Sequence, residues 1–113
     1  MAPLTLQEAY RDIIDTSAQS PIVIGIEPLL LEAPVLKLRV HLRASLFIDV
    51  FLNADTGKTS FALIKDGQRI FGADNTRAWH LHPFGSPERH CPCDATSFAS
   101  FIRQVEENQA RWA

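Results

Sequence analysis

The sequence predicts an α+β domain, in which an antiparallel β-meander of about five strands carries an N-terminal and a C-terminal helix packed on one face. Two observations predict it. Apolar and polar residues alternate through much of positions 36–63, which is the period of half-buried strands. Apolar residues at helical spacing flank this region on both sides, so a helix at each end has one apolar sheet face to pack against.

The two predicted helices have clear beginnings. The first covers about 5–18, where Thr5 is a candidate N-cap and Glu8, three residues later, completes the pattern of a capping box. The second covers about 96–108, with N-cap candidates between Asp94 and Ser97. Its apolar stripe, which is typical of a helix packed on a core, consists of Phe98, Phe101, Ile102 and Val105.

The predicted sheet covers about 22–74. A tight turn at 43–45 would pair Val40 with Ile48 and Leu42 with Leu46, which places the aliphatic residues on one face. The same register sets Arg39 opposite Asp49, and opposite charges are favourable cross-strand neighbours. Asp66-Gly67 indicates a later hairpin. The proline-punctuated stretch 27–34 is expected to be irregular.

Composition limits the organisation and the location of the protein. Its 113 residues suit one domain over 1–113. The net charge of −2 does not by itself indicate a nucleic-acid-binding protein. No apolar run approaches the roughly 20 residues that span a bilayer, and the start lacks the features of a secretion signal. We therefore expect a cytoplasmic protein with reduced cysteines and no membrane partner.

Positions 75–94 are predicted to form an extended, proline-braced loop that is rich in reactive groups. It holds three of the four histidines, His80, His82 and His90, together with both cysteines. Histidine can accept and donate protons near neutral pH, and Arg77 or Arg89 could neutralise charge on a phosphate undergoing cleavage. These residues supply the parts that RNA cleavage without a metal requires. The alternative is that the histidines bond the backbone and hold the loop in shape.

Metal binding is a second interpretation of the same loop. Zinc accepts imidazole and thiolate ligands, so the clustered histidines and cysteines could form a zinc site. However, Cys91 and Cys93 are separated by one residue, whereas structural zinc sites normally separate paired cysteines by two or more. We therefore expect no metal and no cofactor, with both cysteines as small half-buried residues at the entrance of the last helix.

The second face of the predicted sheet combines cations with aromatic rings. Such a face can hold phosphates and stack bases. It could equally be covered by the N-terminal segment or by a second subunit, because the apolar patch would be large if bare. The residues expected there are Lys37, Arg39, His41, Phe47, Phe51, Arg69 and Phe71.

Several motifs follow one another between Val35 and Glu106. They are Thr56-Gly57-Lys58 at the entrance of a strand, Arg69-Ile70-Phe71-Gly72-Ala73-Asp74-Asn75, Trp79-His80-Leu81-His82-Pro83 and His90. Together with a final helix that carries Phe98 and Phe101, this order resembles the TumE family. That family comprises toxins of small toxin–antitoxin pairs in bacteria and archaea.

The resemblance implies a β-meander, an Asp-Asn turn, a histidine-rich loop and a helix, and it implies a toxin that acts on RNA. Asp74 would orient the catalytic groups His80, His82 and His90. The partners that the resemblance implies are a cognate antitoxin protein and RNA, whereas the cation-aromatic sheet face suggests a second copy of the chain as a possible partner. The alternative is a non-enzymatic module that binds a protein or itself, with a structural histidine-rich loop. The implied substrate-binding residues are Arg77, Arg89, Trp79 and Asn75.

Overall fold

The computed structural model describes residues 5–113 and confirms the α+β class. One antiparallel sheet contains seven strands in simple sequence order, with a helix at each end of the chain. The prediction of about five strands is too low. The elements are α1 (Leu6–Gln19), β1 (Gly25–Glu32), β2 (Val35–Arg43), β3 (Leu46–Asn53), β4 (Thr59–Lys65), β5 (Gln68–Asp74), β6 (His80–His82), β7 (Cys91–Pro92) and α2 (Phe98–Glu107), and a short 3-10 turn (Gln109–Arg111) follows.

Both helices begin at side-chain caps. The backbone N–H of Glu8 donates to Thr5 Oγ1 at 3.1 Å, and the N–H of Thr5 donates to Glu8 Oε1 at 3.3 Å, so the predicted capping box is present. Ser97 caps α2 by accepting from the N–H of Ser100 at 3.0 Å. These bonds satisfy backbone donors that the first turn of a helix leaves without partners.

Strands form in two segments that were predicted to be irregular, and the second of these, the histidine-rich loop, contributes the two extra strands. Residues 27–34 contribute most of β1, which pairs with β2 although it contains Pro28. Pro28 is tolerated because it sits next to a register shift in an edge strand, where a missing N–H costs little. The predicted histidine-rich loop also contains two very short strands, β6 and β7, which extend the sheet past β5.

β2 and β3 pair largely as predicted, with Val40 opposite Ile48 and Arg39 opposite Asp49. The predicted pair of Leu42 with Leu46 is wrong, because the register shifts after His41 and places Arg43 opposite Leu46. Leu42 is nevertheless only 6% exposed. A bulge at the turn therefore changes the partner of Leu42 without moving it out of the core.

The core lies between the two helices and one face of the sheet. Leu38, Val50, Phe61 and Ala73 are successive cross-strand partners, and all four are buried. Phe101 of α2 is fully buried, 5.4 Å from the ring of Phe61 between centroids. Ile13 of α1 and the fully or nearly buried Leu36, Val40, Ile48, Leu63, Ile102 and Val105 belong to the same cluster.

The opposite face of the sheet, here called the outer face, carries the residues that alternate with this core. Lys37, Arg39 and Asp49 lie on it, as predicted. Phe71 does not: it is 3% exposed and its ring lies 5.2 Å from that of Phe101, on the core face. A register shift between Leu63 and Ile64 separates Phe71 from the strand's earlier residues.

Neither helix in the described part of the chain has the length and hydropathy needed to cross a membrane. The predicted single domain over 1–113 includes residues 1–4, which lie outside the described range. The prediction that the chain lacks a secretion signal also concerns mostly these residues.

Removal of the Phe101 ring tests the packing of α2 on the sheet. We expect Phe101→Ala to lower the free energy of unfolding by about 3–5 kcal/mol, because a buried ring is replaced by a cavity. Urea denaturation followed by circular dichroism measures the change. Arg103→Ala, at an exposed position of the same helix, is the matched control and should shift stability by less than about 0.5 kcal/mol. Similar losses for both variants would contradict this packing.

Candidate functional site

The pairing of β5 with β6 assembles a cluster of ionisable side chains on the outer face. Asp74 lies opposite His80, and Gly72 lies opposite His82. Because alternate residues of a strand share a face, both imidazoles point to the same side as the Asp74 carboxylate. We call Asp74, His80, His82 and His90 the histidine cluster.

One carboxylate bridges two imidazoles. Asp74 Oδ2 lies 3.0 Å from Nε2 of His82, and Asp74 Oδ1 lies 3.2 Å from Nε2 of His80. The His82 side chain is only 3% exposed, and those of His80 and Asp74 are 14% exposed each. This arrangement holds the three groups in fixed relative positions in a partly dehydrated environment, where hydrogen bonds to a charged group are strong.

His90 completes the cluster from the far end of the histidine-rich loop. Its ring stacks on His80 with a centroid distance of 4.7 Å and an interplanar angle of 18°, and it meets His82 edge-on at 4.8 Å. His90 is exposed, and within residues 5–113 its ring makes no hydrogen bond. It is therefore the member of the cluster whose nitrogens are available to a molecule arriving from solvent.

The other two rings use both nitrogens internally. His82 Nδ1 lies 3.1 Å from the carbonyl oxygen of Pro87, and His80 Nδ1 lies 3.0 Å from that of Ala78. Each ring thus faces one carboxylate oxygen and one carbonyl oxygen, both acceptors. A neutral imidazole has a single N–H and satisfies one of them, whereas the doubly protonated ring satisfies both.

Asp74 is held in its charged form. Burial acts to raise the pKa of this carboxyl, but it is outweighed by hydrogen bonds from the backbone N–H and side chain of Thr76 and from His82, and by the charge of His80. The net result is that the pKa of Asp74 lies below its ordinary value. The Asp74 carboxyl therefore stays ionised to a lower pH than an ordinary aspartate does.

Arg69 is a site residue whose proximity to the histidines was not anticipated from the sequence. Its guanidinium donates to the carbonyl oxygen of Pro87 at 3.1 Å, the same oxygen that His82 Nδ1 contacts. Arg69 is exposed, so its cationic group borders the cluster on the solvent side. The sequence gives no direct indication of this contact, because it depends on how residues 83–90 fold back over β5.

The two arginines predicted to hold phosphate lie in the turns beside the cluster. Arg77 is exposed and adopts a left-handed backbone conformation with φ of 67°. Arg89 directly precedes His90 and is also exposed. Within residues 5–113 neither guanidinium makes an ion pair or hydrogen bond. Both remain free to reach a ligand, and neither is held in place as Arg69 is.

Trp79 and Asn75, the other predicted substrate-binding residues, have partners away from the histidines. Trp79 packs against the hydrophobic core and lines a cavity of about 280 Å³ beside Phe61 and Phe98, on the helix side of the sheet. The Asn75 side chain bonds the β3–β4 turn, accepting from the N–H of Thr59 at 2.8 Å and donating to the carbonyl of Gly57 at 2.9 Å. These contacts give both residues structural roles.

The cysteines lie apart from the histidine cluster. Cys91 pairs with Leu81, which packs against the core, so it belongs to the opposite side of the sheet from His80. Cys93 Sγ lies 4.0 Å from Thr96 Oγ1 at the entrance of α2. In the described part of the chain, the grouping with metal-ligand geometry is Asp74, His80 and His82, whose ligand atoms all lie within 4.8 Å of one another. Imidazole and carboxylate ligands of this kind suit zinc and similar ions.

Comparison of the chain with protein-family models, curated proteins and solved structures finds no match. The interpretation of the histidine cluster consequently depends on its own geometry and on the motifs in the sequence.

The charge of Asp74 predicts a specific dependence of stability on pH. Its pKa is lower in the folded chain than in the unfolded chain, so its contribution is present above the ordinary carboxyl pKa of about 4 and is lost as the pH falls through the lower folded value. We expect Asp74→Asn to be less stable than wild type by about 1–3 kcal/mol near pH 5, with a difference that shrinks toward pH 3.

Urea denaturation at a series of pH values measures this difference. Asp15→Asn, at an exposed position of α1, is the matched control and should lie close to wild type throughout. A stability gap for Asp74→Asn that stays constant from about pH 5 to about pH 3 would mean that the carboxylate charge is not what stabilises the cluster.

Proposed function

We propose that the chain is a ribonuclease-like enzyme that cleaves RNA by metal-independent acid–base chemistry, as a toxin of the TumE kind would. The observation that carries the proposal is the exposed His90 ring stacked on His80, which the ionised Asp74 holds in place. Two stacked imidazoles in different surroundings are suited to the two proton transfers that RNA cleavage requires.

The proposed reaction begins with attack of the ribose 2′-oxygen on the adjacent phosphorus. His90 accepts the 2′-hydroxyl proton, because its nitrogens face solvent. His80 donates a proton from Nδ1 to the departing 5′-oxygen, which takes the place of the Ala78 carbonyl oxygen now 3.0 Å away. The P–O5′ bond breaks as the P–O2′ bond forms, giving a 2′,3′-cyclic phosphate and a 5′-hydroxyl.

The remaining groups position the catalytic histidines and neutralise negative charge on the phosphate. His82 is 3% exposed and bonded through both nitrogens, so it acts as a positioning residue that keeps Asp74 and the loop carbonyl of Pro87 in place. Arg69 borders the cluster and supplies positive charge for the phosphate oxygens in the transition state. Arg77 and Arg89 extend the cationic border on either side.

The proposed cellular location and the proposed protein partner follow from the family resemblance. The protein would act in the cytoplasm, where its RNA substrate is found, and a cognate antitoxin protein would neutralise it. Neither a metal nor a cofactor takes part in the proposed reaction.

Substitution of His90 tests the acid–base proposal. We expect His90→Gln to slow cleavage of a single-stranded RNA by about 10²–10⁴-fold, because the group that accepts the 2′-hydroxyl proton is lost. Gel analysis of labelled RNA measures the rate. The matched control is His41→Gln: His41 bonds Glu27 at 2.8 Å on β1 and lies outside the cluster, so its loss should leave the rate unchanged.

A chelator separates this mechanism from metal catalysis. Cleavage should persist in EDTA, and added Zn²⁺ should inhibit it by binding the Nε2 atoms that face Asp74. Loss of activity in EDTA with recovery on adding Zn²⁺ would replace the acid–base proposal with a metal-dependent one. Equal activity of wild type and His90→Gln would rule out His90 as the base.

A second candidate function, protein binding or self-association without catalysis, is favoured by β1. This strand is at one end of the sheet, and three consecutive leucines in it are unusually exposed: Leu29 by 47%, Leu30 by 38% and Leu31 by 47%. Ile24, just before it, is 71% exposed. An apolar edge strand offers both unpaired backbone groups and side-chain contacts to a second strand.

Replacement of two of these leucines tests self-association. If β1 joins two copies of the chain, wild type should sediment as a dimer and Leu29→Glu/Leu31→Glu as a monomer, because buried charges oppose pairing. Glu8→Gln/Asp15→Gln, on exposed positions of α1, is the control and should sediment as wild type does. A wild-type monomer at high concentration would leave β1 without a homodimeric role.

A further inference from the structure

The histidine cluster is one end of a longer polar surface that crosses the outer face. Strand pairing sets Lys37, Phe51, Ser60, Asp74 and His80 opposite one another in sequence, as one row running across five strands. The neighbouring row on the same face consists of Arg39, Asp49, Ala62, Gly72 and His82. Both rows end at the histidines.

The middle of these rows is built from small residues. Ser60, Ala62 and Gly72 separate the larger side chains of β2 and β3 from those of β6. A Cβ atom added at Gly72 would lie 3.0 Å from the Phe61 carbonyl oxygen and 3.6 Å from Cδ2 of His82, so this position has no room for a side chain. The Cδ atom of Arg69 would lie 3.3 Å from the same added atom, so the Arg69 side chain covers Gly72. We call the stretch of small residues Ser60 and Ala62, between Arg69 and Phe51, the channel.

The far end of the channel opens into a cavity with mixed chemistry. The cavity holds about 280 Å³ and is lined by the paired Arg39 and Asp49 as well as by Leu29, Lys37, Phe51, Ser60 and Ala62. Lys37 is exposed, and within residues 5–113 its ammonium makes no ion pair. An aromatic ring beside an unpaired cation and a small hydroxyl can bind a flat, polar, anionic molecule.

The outer face differs from a surface made for a protein partner. Its rings are only partly exposed, and charged groups shield one of them: the Arg39 guanidinium lies 4.5 Å from the Phe47 ring centroid while its Nε bonds Asp49 at 3.2 Å. Among residues 5–113, most of the exposed large apolar side chains lie on or just before β1, and of these Leu29 also lines the cavity. The outer face therefore does not need a protein cover to be stable in water.

We infer that this channel binds the RNA strand from the cleavage site outward, with a base stacked on Phe51 and a phosphate at Lys37. From Lys37 on β2 to His80 on β6 the path spans four strand spacings, roughly 19 Å, which a few extended nucleotides cover. The bases must be unpaired, because a duplex does not present its base faces to an aromatic ring. This inference rests on the proposed ribonuclease function and adds the path and the single-stranded class of its substrate.

Binding can be measured apart from cleavage. The probe is a fluorescein-labelled single-stranded octanucleotide with 2′-O-methyl groups, which cannot react, and the readout is fluorescence anisotropy. We expect Phe51→Leu, which keeps apolar bulk but removes the ring, to weaken binding at least about fivefold. Lys37→Gln should weaken binding. It should also make the negative slope of log affinity against log salt concentration shallower by about 0.7. Arg103→Gln, on the exposed side of α2, is the control for charge and should do neither.

A third variant blocks the channel itself. Ala62→Glu places a carboxylate midway between Asp49 and Gly72, and repulsion of the phosphates should reduce binding at least about tenfold. Ser100→Glu adds the same charge at an exposed position of α2 and should leave the affinity for the octanucleotide unchanged. Circular dichroism of each variant separates lost binding from lost folding, and a variant that fails to fold is replaced by Ala62→Asp.

The outcomes distinguish this inference from the proposed function. If wild type cleaves RNA but the channel variants bind and cleave normally, the path is wrong and the ribonuclease stands. If the octanucleotide binds through the channel but RNA is not cleaved, the path stands as a binding site and the ribonuclease fails. Stronger binding of duplex than of single strands, or a wild-type dimer that Ala62→Glu dissociates, would overturn the inference in favour of another occupant.

Discussion

The antiparallel pairing of β5 with β6 is the constraint on which the site depends. Because side chains alternate between faces, the same few residues must supply the core and the cluster: Ala73 and Leu81 face the helices, whereas Asp74 and His80 face outward. A shift of one residue would bury the carboxylate beneath the helices and expose the apolar residues. The core therefore specifies the register, and the register brings the ionisable groups together.

The electrostatics of the cluster follow from that geometry. A partly buried carboxylate needs cationic or hydrogen-bonding neighbours, and Asp74 has two imidazoles and the backbone of Thr76. The deepest ring, His82, is bonded on both sides and is rigid for that reason, while His90 contacts the others only through its ring. One end of the cluster is thus fixed by its hydrogen bonds, and the other presents ring nitrogens that make no hydrogen bond within residues 5–113.

Period-two alternation made the fold class and much of the β2–β3 register predictable from the sequence. The failures occur where a bulge breaks that period. Because of Pro28, residues 27–34 were predicted to be irregular although most of them belong to the edge strand β1. Leu42 does not pair with Leu46 as predicted, because the register shifts near the turn. The prediction placed Arg69 and Phe71 on one face, but the shift before Ile64 puts Phe71 in the core. Convergence of His90 on His80 could not be predicted, because it depends on the folded path of the seven residues 83–89, which lack a regular period.

The separation of the two candidate binding surfaces constrains how a partner could control the site. β1 lies five strand spacings from β6, roughly 24 Å across the sheet, so a partner strand added at β1 does not by itself cover His90. A protein that blocks the cluster directly must instead bind on the outer face, where Lys37 and Phe51 also lie. It must then compete with any RNA bound in the channel. Inhibition that persists at saturating RNA would place the inhibitor at β1 or another remote surface, acting through the sheet. Inhibition that RNA overcomes would place it on the outer face.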